Sequence, residues 1–129
     1  MTFHHVGVAS RDLDADERAF AALGYALERE ECVDAIQGVR ARFLVGPGPR
    51  VELVTDLEAG GRVADFAKRG IKMYHFAYEV DDLEAAGRTL AAGGAKLVAE
   101  PVPGSAFGNR LLCFYMLPTM VLIELISKS

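Results

Sequence analysis

The chain has 129 residues, 51% of them hydrophobic and 25% charged, and carries a net charge of −4. That size and balance suit one compact unit or two small modules sharing a core. The acidic pI, about 5.3, argues against a nucleic-acid or anionic-membrane surface. No apolar run is long enough to span a bilayer and no signal-peptide pattern opens the chain, so the expectation is a cytoplasmic protein with no nucleic-acid or membrane partner.

Residues 3–9 are uncharged and read as a strand ending at Ser10-Arg11-Asp12. Asp12 to Leu23 follows with Leu13, Phe20 and Leu23 at helical spacing. Acidic Asp12, Asp14, Asp16 and Glu17 crowd its first turns, where the helix dipole favours them, and Gly24 is placed to stop it. Residues 26–33 read as one mostly polar strand, 34–38 as a turn, and 39–45 as an alternating strand. Gly46-Pro47-Gly48-Pro49 is a turn cluster, and Arg50 to Thr55 is the next strand.

A joint over 56–72 contains a short predicted helix from Val63 to Arg69. Met73 to Val80 is then a strand, and Asp81-x-x-Glu84 resembles a capping box opening a helix from Asp82 to about Ala92. Gly93-Gly94 ends that helix. Lys96 to Ala99 is a strand, 101–108 a loop, and 109–116 and 120–126 are two strands joined by a tight Leu117-Pro118-Thr119 turn. Cys32 and Cys113 are isolated and expected to be buried, inert thiols.

The two halves repeat at a separation of 70 residues. His5 matches His75, Asp12 matches Asp82, Leu13 matches Leu83, Gly24 matches Gly94, and Gly38 and Arg40 match Gly108 and Arg110. A constant register of this kind marks a duplication. Each half reads strand, helix, strand, strand, strand. The expected organisation is one domain over 1–129, with module one at 1–57, the joint at 58–72 and module two at 73–129.

Four strands are apolar around a single polar residue. His5 and His75 sit in the first strand of each half, Glu52 in Val51-Glu52-Leu53-Val54, and Glu124 in Leu122-Ile123-Glu124-Leu125-Ile126. A carboxylate in such a strand is costly to bury unless paired, protonated or bound to a cation. Taken singly, a strand His is most often a structural residue and a strand Glu can face solvent. Taken together, the four occupy matching places. Related by a pseudo-twofold axis, they would converge as two imidazoles and two carboxylates, a set suited to a hexacoordinate divalent cation with two positions left for water or substrate oxygens. His4, next to His5, is expected to face the other way and be structural. The donor types admit Co, Mn, Ni, Zn or Mg. Arg40, Arg42 and Arg110 could contact anions, although solvated sheet charges are the favoured reading.

The stretches His5-Val6-Gly7-Val8 with Asp12-Leu13, Val51 to Val54, Tyr74 to Leu83 and Leu122 to Leu125 resemble the vicinal oxygen chelate superfamily, the glyoxalase, bleomycin-resistance and extradiol dioxygenase group. Within it, Glu30-Glu31, Gln37-Gly38-Val39, Val63 to Phe66, Glu100-Pro101 and Gly108-Asn109-Arg110 look most like methylmalonyl-CoA epimerase. The resemblance implies an α+β fold: two βαβββ modules in a curved, mostly antiparallel eight-stranded sheet around a metal cleft, helices outside, often as a homodimer. It also implies that His5, Glu52, His75 and Glu124 are the metal ligands. Two departures stand out. The position where some epimerases hold a second catalytic acid is Ala41, and the loop before the last strand is the apolar Leu117-Pro118-Thr119-Met120.

The mechanism this resemblance suggests is proton abstraction α to a thioester carbonyl, with the enolate stabilised by one divalent metal ion. Glu124 is the preferred base, with Glu52 the second choice for that role, acting on a small molecule such as an acyl-CoA thioester. A glyoxalase-type lyase or isomerase acting on a hemithioacetal would use the same ligands. A drug-binding resistance protein on this fold is disfavoured because all four ligands are kept. Extradiol chemistry, which uses two His and one carboxylate, is disfavoured by the fourth ligand at Glu52.

Overall fold

The structure is a computed structural model describing residues 1–129. The chain is α+β, with nine strands in mostly antiparallel pairs and three α-helices. It divides into two compact units, one of residues 5–74 and one of residues 1–4 with 75–129.

In the first half of the chain, β1 (Thr2–Ala9) leads into α1 (Leu13–Ala21), followed by β2 (Ala26–Leu27), β3 (Cys32–Asp34), β4 (Val39–Val45), β5 (Val51–Asp56) and α2 (Arg62–Lys68). The strand order is β2-β4-β5-β1, with β3 also on β4. In the second half, β6 (Met73–Val80), α3 (Leu83–Ala92), β7 (Lys96–Gly104), β8 (Arg110–Met116) and β9 (Leu122–Ser127) give the order β6-β9-β8-β7.

The duplication is visible in backbone detail. Asp12 and Asp82 each cap their helix by accepting the N–H of Ala15 and Ala85, at 3.1 and 3.0 Å. Gly24 and Gly94 follow α1 and α3 with φ of +101° and +94°, a left-handed conformation that a Cβ disfavours. Each helix then covers an equivalent apolar face. α1 supplies Leu13 against Val8, Leu44, Val51 and Leu53. α3 supplies Ala86 against Val80, Cys113, Ile123 and Leu125. α2, which comes from the joint, packs Val63 against Ala9, Ala41 and Val54.

Four details differ from the sequence-based expectations. The strand expected at 26–33 is two short strands, which raises the count from eight to nine. Leu27 pairs with Leu44 and Cys32 with Ala41, so the four residues 28–31 span only Arg42 and Phe43. Charge stabilises this bulge: Glu28 pairs with Arg50 at 3.2 Å, and Glu31 with both Arg40 and Arg42 at 2.8 Å. The cap of α3 is Asp82 rather than Asp81. Glu84 accepts from Arg88 at 3.1 Å, so no reciprocal capping box forms.

β7 continues through Pro101 and Pro103 to Gly104. It is the last strand in its order and pairs only with β8, so the missing proline N–H groups remove no ladder bond on the other side. The final turn is longer than three residues. The Leu117 N–H reaches the Val121 carbonyl at 2.9 Å, and Met120 takes φ +70°.

The matched caps predict matched losses: Asp12→Ala and Asp82→Ala should each cost about 1 kcal/mol of stability in urea titration. A pair of widely unequal values would mean that the helices do not carry equivalent load. Arg42 bridges α1 and the bulge, bonding Asp14 at 2.8 Å, Glu17 at 2.9 Å and Glu31 at 2.8 Å. Hydrogen bonds from Arg40 and Arg42 hold the Glu31 carboxyl below its usual 4.5. A depressed carboxylate contributes stability above its unfolded pKa and loses it as pH falls through the lower folded value. Arg42→Ala should therefore destabilise by about 1–2 kcal/mol at neutral pH. The gap from wild type should shrink below pH 4.5, as read by denaturation at several pH values.

Candidate active site

The site residues are set by register. β1 and β5 run parallel with Gly7 opposite Glu52, and β6 and β9 run parallel with Ala77 opposite Glu124. In each half a histidine stands two residues before the small residue. Side chains two apart share a sheet face, so His5 joins Glu52 and His75 joins Glu124. A residue without a bulky side chain, Gly7 or Ala77, lies between them on that face.

The pairs form as this register requires. His5 Nε2 lies 3.1 Å from Glu52 Oε1, and His75 Nε2 lies 3.3 Å from Glu124 Oε1. All four residues are buried: His5 is 0% exposed, Glu52 7%, His75 2% and Glu124 3%. None is left on a wet face. They are a set of His and carboxylate side chains that could hold a metal ion, each offering one ligand atom. Two imidazoles and two carboxylates are also chemically appropriate donors for a borderline-to-hard divalent cation.

Each pair has an aromatic companion. Phe43 is opposite Glu52 on β4, and Phe114 is opposite Glu124 on β8. The His5 ring meets Phe43 edge-on at 5.3 Å and 83°, and the His75 ring meets Phe114 at 5.5 Å and 88°. Edge-to-face contacts of this kind fix a ring's orientation as well as burying it. The signal was present but offset: Phe43 and Phe114 are 71 residues apart and Glu52 and Glu124 are 72 apart, so a strict separation of 70 conceals the match.

Other singled-out residues lie elsewhere. His4 is half-buried, with its ring edge-on to Phe107 at 5.5 Å. Arg40 and Arg42 are engaged with Glu31, and Arg110 donates to Glu79 at 2.7 Å and to the Ser127 carbonyl at 3.1 Å. The Arg110 hydrogen bond holds the Glu79 carboxyl below its ordinary range. Ala41 is buried among Ala9, Val54 and Val63, so no acid stands at that point of β4. Cys113 is buried as expected, on the α3 side of its strand. Cys32 departs from expectation: it is half-buried, with Sγ 3.8 Å from the Glu30 carbonyl.

Comparison with known proteins gives a consistent result. The profile of the Glyoxalase/Bleomycin resistance protein/Dioxygenase superfamily matches residues 4–127. An ethylmalonyl-CoA/methylmalonyl-CoA epimerase from Cereibacter sphaeroides is 31% identical over 107 residues, which is 78% of this chain and 76% of that one. The crystal structure of methylmalonyl-CoA epimerase from Mycobacterium tuberculosis is similar at 32% identity and a TM-score of 0.80, over 99% of this chain and 88% of that chain. A Streptomyces coelicolor methylmalonyl-CoA epimerase in complex with 2-nitronate-propionyl-CoA is similar at 26% identity and a TM-score of 0.80, over 100% and 98% of the two chains.

The two thiols should differ in reactivity. Burial, reinforced by the charge of Glu124, pushes the Cys113 thiol up to about 11. In a thiol-reagent time course at pH 8, one cysteine should react in the native protein and the second only after denaturant is added. Rapid labelling of both in the native state would contradict the burial of β8.

Proposed function

The chain belongs to the glyoxalase/bleomycin resistance protein/dioxygenase superfamily, and from that premise we propose that it is a metal-dependent epimerase acting α to a thioester carbonyl, with an acyl-CoA of the methylmalonyl type as substrate. The observation that carries this reading is the pair of equivalent, buried His–Glu contacts, His5–Glu52 and His75–Glu124. A purely structural sheet has no need for two carboxylates desolvated in apolar strands. A pair of sites for one cation does.

His5, Glu52, His75 and Glu124 are the proposed ligands of one divalent ion. When bound, such an ion would act as a Lewis acid toward the substrate's carbonyl oxygen and stabilise negative charge developing there. The remaining chemistry belongs to the chain. Glu124 is the proposed base: the α C–H bond breaks, the proton passes to a Glu124 carboxylate oxygen, and the electron pair moves into the carbonyl as an enolate. Returning a proton to the opposite face inverts the centre, and Glu52 is the acid proposed for that step, entering the cycle as the carboxylic acid and leaving it ionised while Glu124 ends protonated. Phe43 and Phe114 hold the imidazoles in orientation. Leu53, Ile123 and Leu125, at 0%, 7% and 0% exposure, keep bulk water from the strands that carry the carboxylates.

Ala41 supports a second reading. With no acid at that buried point of β4, a lyase or isomerase that works from a single carboxylate, such as one acting on a hemithioacetal, uses the same residues without needing a donor there. A side-by-side assay of methylmalonyl-CoA and a glutathione hemithioacetal separates the two.

The direct test is deuterium incorporation at the α-carbon of methylmalonyl-CoA in heavy water. Glu124→Ala should lower the exchange rate by at least about 100-fold while the protein remains folded. Exchange at the wild-type rate would remove Glu124 as the base.

A further inference from the structure

We propose that Phe114 and Met116 on β8 receive the apolar α-substituent of the substrate beside Glu124, and so set which acyl groups are accepted. The proposal rests on the epimerase reading for the chemistry performed, but not for the existence of an apolar subsite there.

β8 and β9 pair in regular register, with Leu112 opposite Ile126, Phe114 opposite Glu124 and Met116 opposite Leu122. These six alternate with Cys113, Ile123 and Leu125, which pack with Ala86 of α3. They therefore share the sheet face turned away from that helix.

Burial is graded along the face. The Leu112–Ile126 rung is closed, at 1% and 0% exposure. Gly104 lies so close that a Cβ there would meet Leu112 Cδ2 at 2.5 Å. Phe114 and Met116, by contrast, are only half-buried. Opposite Phe114 on β7 stands Ala99, an exposed residue too small to cover the ring. Glu124 thus sits between a sealed rung and an apolar one that solvent reaches.

Proton transfer to Glu124 requires the α-carbon within hydrogen-bonding reach of a carboxylate oxygen. The α-alkyl group is one bond from that carbon, so it falls beside the same rungs. Against Phe114 and Met116 it loses water favourably, and an unbranched, adaptable Met suits chains of differing length.

The duplication provides an internal control. Phe43 and Glu52 precede Phe114 and Glu124 by 71 and 72 residues, and at those offsets Met116 and Leu122 match Val45 and Arg50. Phe43 is only 1% exposed, and Arg50 is paired with Glu28 at 3.2 Å. Module one ends this face in an ion pair beside a sealed ring. The apolar opening belongs to module two, the half that carries the proposed base.

The test compares methylmalonyl-, ethylmalonyl- and propylmalonyl-CoA on Co²⁺-loaded wild type, Met116→Ala and Met116→Phe. Two quantities are read: kcat/KM for α-deuterium exchange, and affinity by titration calorimetry. Met116→Ala should raise the propyl-to-methyl ratio at least about tenfold, and Met116→Phe should lower it by a similar factor. Each ratio is taken within one variant, so any loss of folded protein cancels. Ratios within about twofold of wild type in both variants, or an equal loss for all three thioesters, would overturn the proposal. Shifted affinity ratios in a protein that exchanges no α-proton would sink the epimerase reading and keep this one. Normal exchange with unshifted ratios would do the reverse, and a wild type that binds none of the three would overturn both.

Discussion

The structure depends on one costly arrangement made twice: a glutamate in the middle of an apolar strand, buried against a histidine of the parallel neighbour. An isolated carboxylate at that depth carries an effective penalty of several kcal/mol. Each strand register offsets part of that penalty by delivering an imidazole within about 3 Å of Glu52 and of Glu124. Much else follows from this. The parallel pairing of first and last strand in each half requires a crossover, which α1 and α3 begin. The small residues Gly7 and Ala77 are needed so that histidine and glutamate can meet across the face between them.

Duplication explains how such an arrangement arises with so few instructions. One module that pairs a His with a Glu becomes two when copied, and the equivalent caps at Asp12 and Asp82 are traces of that copying. The differences between the copies are equally informative. Module one has a charged bulge with Arg29 over Phe43, and the joint covers its Ala41 with Val63 of α2. Module two has a proline-containing edge strand and a half-buried Phe114. The two halves are thus equivalent in their His–Glu pairs and inequivalent in what surrounds them.

Much of this was legible before any coordinates. The separation of 70 residues marks the histidines, caps and helix-ending glycines, because each is set by local chemistry: a strand residue, an N-cap oxygen, a positive φ. The two glutamates were legible as lone charges in apolar strands. What could not be read depends on non-local pairing. The break in 26–33 arises because Glu28 and Glu31 find Arg50, Arg40 and Arg42 on other strands. The strand through Pro101 and Pro103 is permitted only by its edge position, which topology decides. Phe43 and Phe114 were hidden by one residue of slippage between copies. Asp82 rather than Asp81 caps α3 because adjacent aspartates offer the same chemistry, and only the backbone path chooses between them.

That both pairs serve a single cation is most directly tested by equilibrium titration of the metal-free protein with Co²⁺, for wild type, His5→Ala and His75→Ala. One ion per chain, with binding lost to a similar degree on removing either histidine, is the predicted result. Two independent ions per chain, or a binding curve indifferent to one of the histidines, would mean that the pairs act separately and that the shared centre does not exist.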